Sequence, residues 1–261
     1  GTGYNDTIAI IDRNGTANGS LIILDKDGNK LCNTSDLGTA TAIAVGDFNE
    51  DGNKSEVVVG EGAYLVSRTI SAFYSNCTQI WSNSVPAGIV FELETGDLDN
   101  DGYYDDVIVA ATGVVVLYDG FLLVYNGSGI QQWNVSVGHQ SIDSVEIGDI
   151  DGNDVSDIIF NIVDNINAYN GSGYNLWNFT NPTGVISEIR FGNFSNNGII
   201  AFVDTNSDIL FVLNSSGNQS WNASVGSDAI RSLAVGDLDS DGLDDIVVGG
   251  TSDKVMMFNN S

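Results

Sequence analysis

The chain has 261 residues, with 35 acids against 8 bases and a formal charge of −27. A surface so anionic repels nucleic-acid phosphates and anionic lipid headgroups, which excludes both as partners. With a single histidine, a two-histidine metal centre is impossible, and a Ser-His-Asp triad could be built only around His139.

The chain opens on residues 1–6, which read as the back half of an acidic turn. A hairpin follows at Leu24, Asp25 and Gly28, leading to Cys32. Next comes the first complete acidic loop, with Asp47, Asn49, Asp51 and Gly52. Tyr74 to Trp81 reads as strand, turn, strand. A second loop carries Asp97, Asp99, Asp101 and Gly102, and a hairpin runs from Tyr125 to Trp133. The third loop has Asp149, Asp151 and Asn153, and another hairpin joins Tyr169 to Trp177. Residues 193–198 keep the loop spacing and the glycine but hold no acid. Strands are expected at 199–203, 209–213, 220–224 and 231–235. The fourth loop follows, with Asp237, Asp239, Asp241 and Gly242, and then apolar segments at 245–249 and 255–258.

Two unrelated markers sharing a period of roughly 44–52 residues establish a true repeat, and this period belongs to propellers or solenoids. Each unit reads as four short strands rich in β-branched and aromatic residues, and no stretch of ten residues has helical periodicity. Only two prolines occur, Pro86 and Pro182, as suits hydrogen-bonded ladders. The expected fold is all-β, a single β-propeller domain spanning residues 1–261. Its blades are expected near 3–52, 53–102, 103–153, 154–198 and 199–242, with a partial blade over 243–261. Five full units and a fraction suggest a piece of a longer protein whose ring holds six or seven blades.

The loops point to metal. Ca²⁺ takes six to eight hard oxygens at about 2.3–2.6 Å, and alternate residues of a tight turn converge on one ion. About half of the acids lie in the four loops, so much of the negative charge is a metal-site signature; a halophilic origin is the competing explanation. The acid pairs at Asp105/Asp106 and Asp244/Asp245 sit inside these loops, which argues against glycoside chemistry there. The repeated tryptophans Trp81, Trp133, Trp177 and Trp221 are expected to pack between blades rather than to stack sugars.

Asn-X-Ser/Thr sequons are dense, with those beginning at Asn5, Asn14, Asn18, Asn33, Asn53, Asn76, Asn126, Asn134, Asn170, Asn178, Asn193, Asn214, Asn218 and Asn222 among them. Composition alone would give about four or five, so the excess reads as glycan acceptors on an exported protein. Asn-Gly-Ser turns make sequons for free at Asn126 and Asn170, but not at strand positions such as Asn134 and Asn222. Cys32, on the third strand of the first unit, and Cys77, in a turn of the next, fit a disulfide in an oxidising compartment. Two buried free thiols are the alternative.

Segments 43–52, 93–97 and 233–242, each followed by an apolar strand such as 57–60 or 246–249, resemble FG-GAP repeats, best known from the integrin alpha-subunit propeller. The Asn-Gly-Ser-Gly…Trp hairpins are similar to those of pyrroloquinoline-quinone-type propeller repeats, a mixture found in microbial surface proteins. The resemblance implies three to four Ca²⁺ sites. The ligands would be Asp237, Asp239, Asp241, the Leu243 carbonyl and Asp245; Asp149, Asp151, Asn153, the Val155 carbonyl and Asp157; and Asp97, Asp99, Asp101, the Tyr103 carbonyl and Asp105. The first loop offers Asp47, Asn49, Asp51 and Asn53, with Glu56 closing the shell beyond Ser55. The acid-free copy at Asn193 should hold no ion.

The function implied is a non-enzymatic, calcium-stabilised, glycosylated cell-surface propeller that binds a protein or glycan ligand. Self-association into a filament or surface layer is one alternative, and a fragment of a carbohydrate-active or quinone-dependent enzyme is another. No membrane insertion by this segment is expected.

Overall fold

Apolar runs broken by Gly, Asn, Asp and Ser turns fold into antiparallel meanders in the computed structural model. It describes residues 7–12, 19–62, 68–86, 89–112, 119–194, 199–204, 206–226, 230–251 and 254–259. All 22 described elements are strands, and no helix occurs among the described residues, so none is available to cross a membrane. The sequons at Asn5, Asn14 and Asn18, the opening half-turn, and residues 195–198 of the acid-free loop lie outside the described residues.

The chain divides into two compact units rather than one, residues 1–142 and 143–261. The first holds a three-stranded sheet of β1 (Thr7–Asp12), β2 (Gly19–Asp25) and β3 (Lys30–Leu37). It also holds two four-stranded sheets. One is β4 (Ala40–Gly46), β5 (Glu56–Glu61), β6 (Thr69–Phe73) and β7 (Gln79–Ser84). The other is β8 (Ile89–Gly96), β9 (Asp106–Thr112), β10 (Gly120–Tyr125) and β11 (Gln131–Gly138). The second unit begins with β12 (Ile142–Gly148), β13 (Asp157–Ile162), β14 (Asn165–Asn170) and β15 (Asn175–Thr180). It continues with β16 (Ile186–Gly192), β17 (Ile199–Asp204), β18 (Ile209–Leu213) and β19 (Gln219–Ser224). It closes with a three-stranded sheet of β20 (Ile230–Gly236), β21 (Asp245–Gly250) and β22 (Val255–Phe258). Each four-stranded meander is a propeller blade.

The expected blade boundaries fall one strand late. The acidic loop does not end a sheet; it joins the first strand to the second, as Gly46↔Glu56, Gly96↔Asp106 and Gly236↔Asp245 pair across it. The sheets therefore cover 40–84, 89–138, 142–180 and 186–224, with three-stranded groups at 7–37 and 230–258. A periodic sequence fixes the repeat length but not its origin. The origin is set by which strands share a ladder.

Burial explains the strand compositions. The second strand of each four-stranded sheet is covered on both faces, so it reads as a continuous apolar run such as Val57-Val58-Val59 or Ile158-Ile159-Phe160. The fourth strand alternates between half-buried and exposed positions and is correspondingly polar. Sheets approach closely at glycine: a Cβ on Gly148 would lie 2.2 Å from the Phe191 ring, and one on Gly192 2.3 Å from Val235. First strands of adjacent sheets are stitched by side chains. Asn161, fully buried, accepts from the Ser144 N–H and donates to the Ile186 carbonyl. Glu188 accepts the Leu233 N–H at 2.8 Å, while Arg190 bridges Glu146 and Glu188.

At the outer edge a latch recurs. Trp81 on β7 donates its indole N–H to the Gly127 carbonyl (2.7 Å), in the β10–β11 turn of the next sheet. Trp177 on β15 reaches the Ser215 carbonyl (2.9 Å) in the β18–β19 turn. Each ring rests on a left-handed glycine, Gly129 (φ 76°) or Gly217 (φ 74°). The first sheet has Cys32 in the tryptophan's place, and Cys77 stands where the glycine would be, with φ 63°. The two form the disulfide, with Cα atoms 5.9 Å apart. A covalent bond thus replaces the aromatic contact at one position of the repeat.

The latch gives a measurable expectation. Gly217→Ala places a methyl group 2.5 Å from Trp177 on a left-handed backbone and should cost about 2 kcal/mol or more. Replacing both cysteines by serine should cost about 4 kcal/mol, the chain-entropy value for a separation of 45 residues. Urea midpoints read both effects, and unchanged midpoints would show that the latch does not hold the sheets.

Candidate metal centres

Each acidic loop is a chain of side-chain-capped turns. The first-position carboxylate accepts from the fifth and sixth residues: Asp47 from Asp51 and Gly52, Asp97 from Asp101 and Gly102, Asp149 from Asn153 and Asp154, Asp237 from Asp241 and Gly242. The third residue caps the fifth in three of them, through Asn49, Asp99 and Asp239. The fifth-position oxygens of Asp51, Asp101, Asn153 and Asp241 hold the N–H groups of the seventh residues, Asn53, Tyr103, Val155 and Leu243.

This winding requires a left-handed residue at positions four and six. Glu50, Asn100 and Ser240 fill the fourth place, and Gly52, Gly102 and Gly242 the sixth. The third loop swaps the order, with Gly152 fourth and Asp154 sixth (φ 66°). Aspartate tolerates that region because its short polar side chain bonds locally, so the swap leaves the path unchanged.

The carboxylates converge. Oxygens of Asp97, Asp99 and Asp101 lie within 4.8 Å of one another, as do those of Asp149, Asp151 and Asp157, and those of Asp237, Asp239 and Asp241. In the first loop Asn49 stands third, and its amide donates to Glu56 Oε1, which also accepts from Ser55 Oγ.

The acid that opens the second strand closes each loop. Asp157 Oδ2 accepts the Ile150 N–H at 2.9 Å, Asp245 Oδ2 the Leu238 N–H at 3.1 Å, and Asp106 Oδ2 the Leu98 N–H at 2.8 Å. In the second loop this residue is therefore Asp106, not the expected Asp105. The loop is one residue longer, so counting nine from Asp97 lands one place short. Asp105 turns instead toward the Gly127 turn, where a Cβ would lie 2.0 Å from its carboxylate. Glu56 takes the same place in the first loop, paired with Gly46, as anticipated from its extra residue. The missed signal was register: the closing acid is the one opposite the glycine that ends the first strand.

These closing acids are buried and incompletely satisfied. Asp157 is fully buried, and its Oδ1 has no hydrogen-bond partner; Glu56 is buried, and its Oε2 has none. Burial raises the Asp157 pKa to about 6, against the Ile150 bond and with the charges of Asp151 and Asp149. Burial likewise lifts Asp106 to about 6 and, with the Asp106 charge beside it, Asp105 to about 7. Glu56 is raised by burial, with the Asp51 and Asp47 charges adding. Hard oxygens at alternate positions, one buried and without a donor, suit a hard divalent cation. These residues fit it.

Elsewhere the sequence-derived candidates are placed plainly. His139 is exposed, its Nδ1 3.5 Å from Asp119, with no nucleophile placed beside it by this contact. Trp81 and Trp177 pack between sheets as expected, while Trp221 is half-exposed against Phe258. Asn33, Asn53, Asn76, Asn134, Asn178, Asn193, Asn218 and Asn222 are exposed, and Asn126, Asn170 and Asn214 half-buried.

No family model matches the chain, and no curated protein matches it. Solved propellers do. The chain is similar to BBS1N in complex with ARL6DN at 13% identity and TM-score 0.62, covering 97% of this chain and 77% of that one. The Dos1 propeller matches at 12% identity and TM-score 0.67, over 92% and 62%. The Vibrio cholerae biofilm matrix protein Bap1 matches at 16% and TM-score 0.61, over 89% and 38%. The fold is a β-propeller.

The raised carboxyl pKa values fix the sign of a pH effect in the metal-free protein. The folded state binds more protons than the unfolded state between pH 4 and 7, so stability is greatest at the acid end of this window and falls as pH rises. In excess chelator the melting temperature should drop from pH 5 to pH 7.5. Asp157→Asn, which keeps an acceptor for Ile150, should raise it at pH 7.5 and leave it near unchanged at pH 5. An Asp157→Asn melt equal to wild type at both would show that Asp157 carries no buried charge.

Proposed function

We propose that the chain is a calcium-stabilised, non-enzymatic propeller of FG-GAP type, exported and N-glycosylated, that binds a protein ligand at the cell surface. The orphaned, buried oxygen of Asp157 carries the reading. Asp157 clusters with two further carboxylates, Asp149 and Asp151, and a buried carboxylate there would be costly to leave charged without a cation.

Asp149, Asp151, Asn153, the Val155 carbonyl and Asp157 would hold one ion. Asp97, Asp99, Asp101, the Tyr103 carbonyl and Asp106 would hold a second, and Asp237, Asp239, Asp241, the Leu243 carbonyl and Asp245 a third. Asp47, Asn49, Asp51, the Asn53 carbonyl and Glu56 would hold a fourth. The ion would supply positive charge that pins the start of the second strand to the loop. Extracellular modules hold calcium with Kd of roughly 10⁻⁴–10⁻³ M. At tenfold excess each site adds about 1.4 kcal/mol, so four add roughly 5–6 kcal/mol.

The disulfide supports an oxidising compartment. Of the similar solved propellers, one is BBS1N in complex with ARL6DN and one is the biofilm matrix protein Bap1, and the former lends support to a protein-binding role.

Chelation should lower the melting temperature at pH 7.5 by about 10–20 °C, with restoration by Ca²⁺ and not by Mg²⁺. Titration calorimetry should count three to four sites, one fewer in Asp149→Asn. A melt indifferent to chelator refutes the calcium role. For the binding role, cells displaying the chain should capture at least one member of a panel of purified extracellular proteins in calcium but not in chelator. Equal capture by undecorated cells refutes it.

A further inference from the structure

We propose that four sequons, Asn33, Asn134, Asn178 and Asn222, are the N-glycan attachment sites of this chain, and that their glycans cap the open outer edges of the sheets. The inference rests on the exported, glycosylated reading and goes beyond it in saying which asparagines are modified and what the glycan does.

The four occupy one structural position. Each directly follows the residue at the repeat's tryptophan position on the last strand of its sheet: Cys32 on β3, Trp133 on β11, Trp177 on β15 and Trp221 on β19. These strands stand at the end of their sheets, paired on one side only among the described residues. Asn33 is opposite Ile22, Asn134 opposite Leu123, Asn178 opposite Asn167 and Asn222 opposite Phe211.

Side chains two apart on a strand share a face. Asn33 and Ser35, Asn134 and Ser136, Asn178 and Thr180, and Asn222 and Ser224 are all exposed, while Thr34, Val135, Phe179 and Ala223 between them are half-buried. Both elements of the acceptor motif therefore stand together on open surface, four times over. No side-chain hydrogen bond among the described residues holds Asn33, Asn134 or Asn222; Asn178 only accepts one, from Asn175.

Hairpin sequons differ. Asn126, Asn170 and Asn214 are half-buried, and their side-chain oxygens close the turn by accepting from Ile130, Tyr174 and Asn218 at 2.9–3.0 Å. Turn chemistry accounts for asparagine there. The sheet of β4–β7 supplies an internal control. Ser82 stands where the other edge strands have asparagine and bonds Ser71, and Asn83 donates to the Gly129 carbonyl.

The modification is a substitution. The asparagine Nδ2 attacks the anomeric carbon of an oligosaccharide activated on a polyprenyl phosphate or pyrophosphate. The new C–N bond forms as the C–O bond to phosphate breaks, Nδ2 loses a proton, and the lipid phosphate leaves. An exposed edge strand offers unpaired N–H and C=O groups to any second chain, and natural proteins block such edges with bulk or charge. Few lysines or arginines are available here, with 8 in the chain. A glycan rooted on the outward face beside the open edge supplies the bulk.

The test is intact-glycopeptide mass spectrometry of the full chain secreted from a host with an N-glycosylation pathway. Glycan at Asn33, Asn134, Asn178 and Asn222, with Asn126, Asn170 and Asn214 bare, is the expected result. Glycan confined to other sequons overturns this assignment and leaves the exported reading standing. Glycan at none of the chain's sequons overturns both. The quadruple variant N33Q/N134Q/N178Q/N222Q, whose circular dichroism should match the parent because the sites are exposed, tests the capping role. Sedimentation should show it shifting to dimers and larger species while the glycosylated parent stays monomeric. A variant as monomeric as the parent overturns the cap.

Discussion

Burying a carboxylate at the start of the second strand is the constraint on which each sheet turns. Asp157, Asp106, Asp245 and Glu56 lie at the point where the loop re-enters the core, and all four are buried. For the three aspartates, one oxygen is spent on the N–H of the loop's second residue. That residue is itself buried in three loops, as Phe48, Leu98 and Ile150. The loop is thereby nailed at its apolar second position and at its acidic end, with the polar alternate residues facing outward between.

A comparison within the molecule shows what such a carboxylate needs. Asp204 is also fully buried, yet it accepts bonds from Thr183, Asn181 and the N–H groups of Asn206 and Ser207. Burial pushes its pKa up, but those donors outweigh it, and the group sits below the ordinary value. Asp157 is likewise fully buried, but it has only backbone donors, and the charges of Asp151 and Asp149 lie beside it, so its pKa is lifted. The same side chain in the same kind of interior therefore reads oppositely according to its donors. What Asp204 obtains from the protein, Asp157 lacks, and under the proposed calcium role a cation would fill that gap.

The period, the strand content and the turn chemistry were legible because they are local. Alternating Asp and Asn residues before a glycine specify a tight turn, and continuous valine and isoleucine specify a strand covered on both faces. Phase was not legible. Whether the loop closes a sheet or lies inside it depends on the pairing of Gly46 with Glu56 and Gly96 with Asp106, which no single strand's sequence records. The same blindness misassigned Asp105, since a ligand count along the chain cannot see an extra residue that the ladder accommodates. The substitution of a disulfide for a tryptophan contact was partly legible: Cys32 stands in the tryptophan column. The glycine slot taken by Cys77 became visible only from its backbone angle and its place in the turn.

Neighbouring loops also order one another. The Asp47 N–H donates to the Tyr104 carbonyl in the next sheet's loop, over whose ring Lys54 lies at 3.1 Å. Asn193, the first residue of the acid-free loop, donates its N–H to Asp244 Oδ2 at 2.6 Å and accepts the Asp244 N–H at 2.8 Å. Asp244 belongs to the following loop, and its carboxylate accepts from the neighbour. A first-position acid has to be compensated, by donors or by an ion, whereas a neutral asparagine held from both sides has no charge left to satisfy. The first residue of the acid-free loop is thus held from both sides by the following loop, and the acid at the eighth position of the fourth loop acts as a clip between sheets.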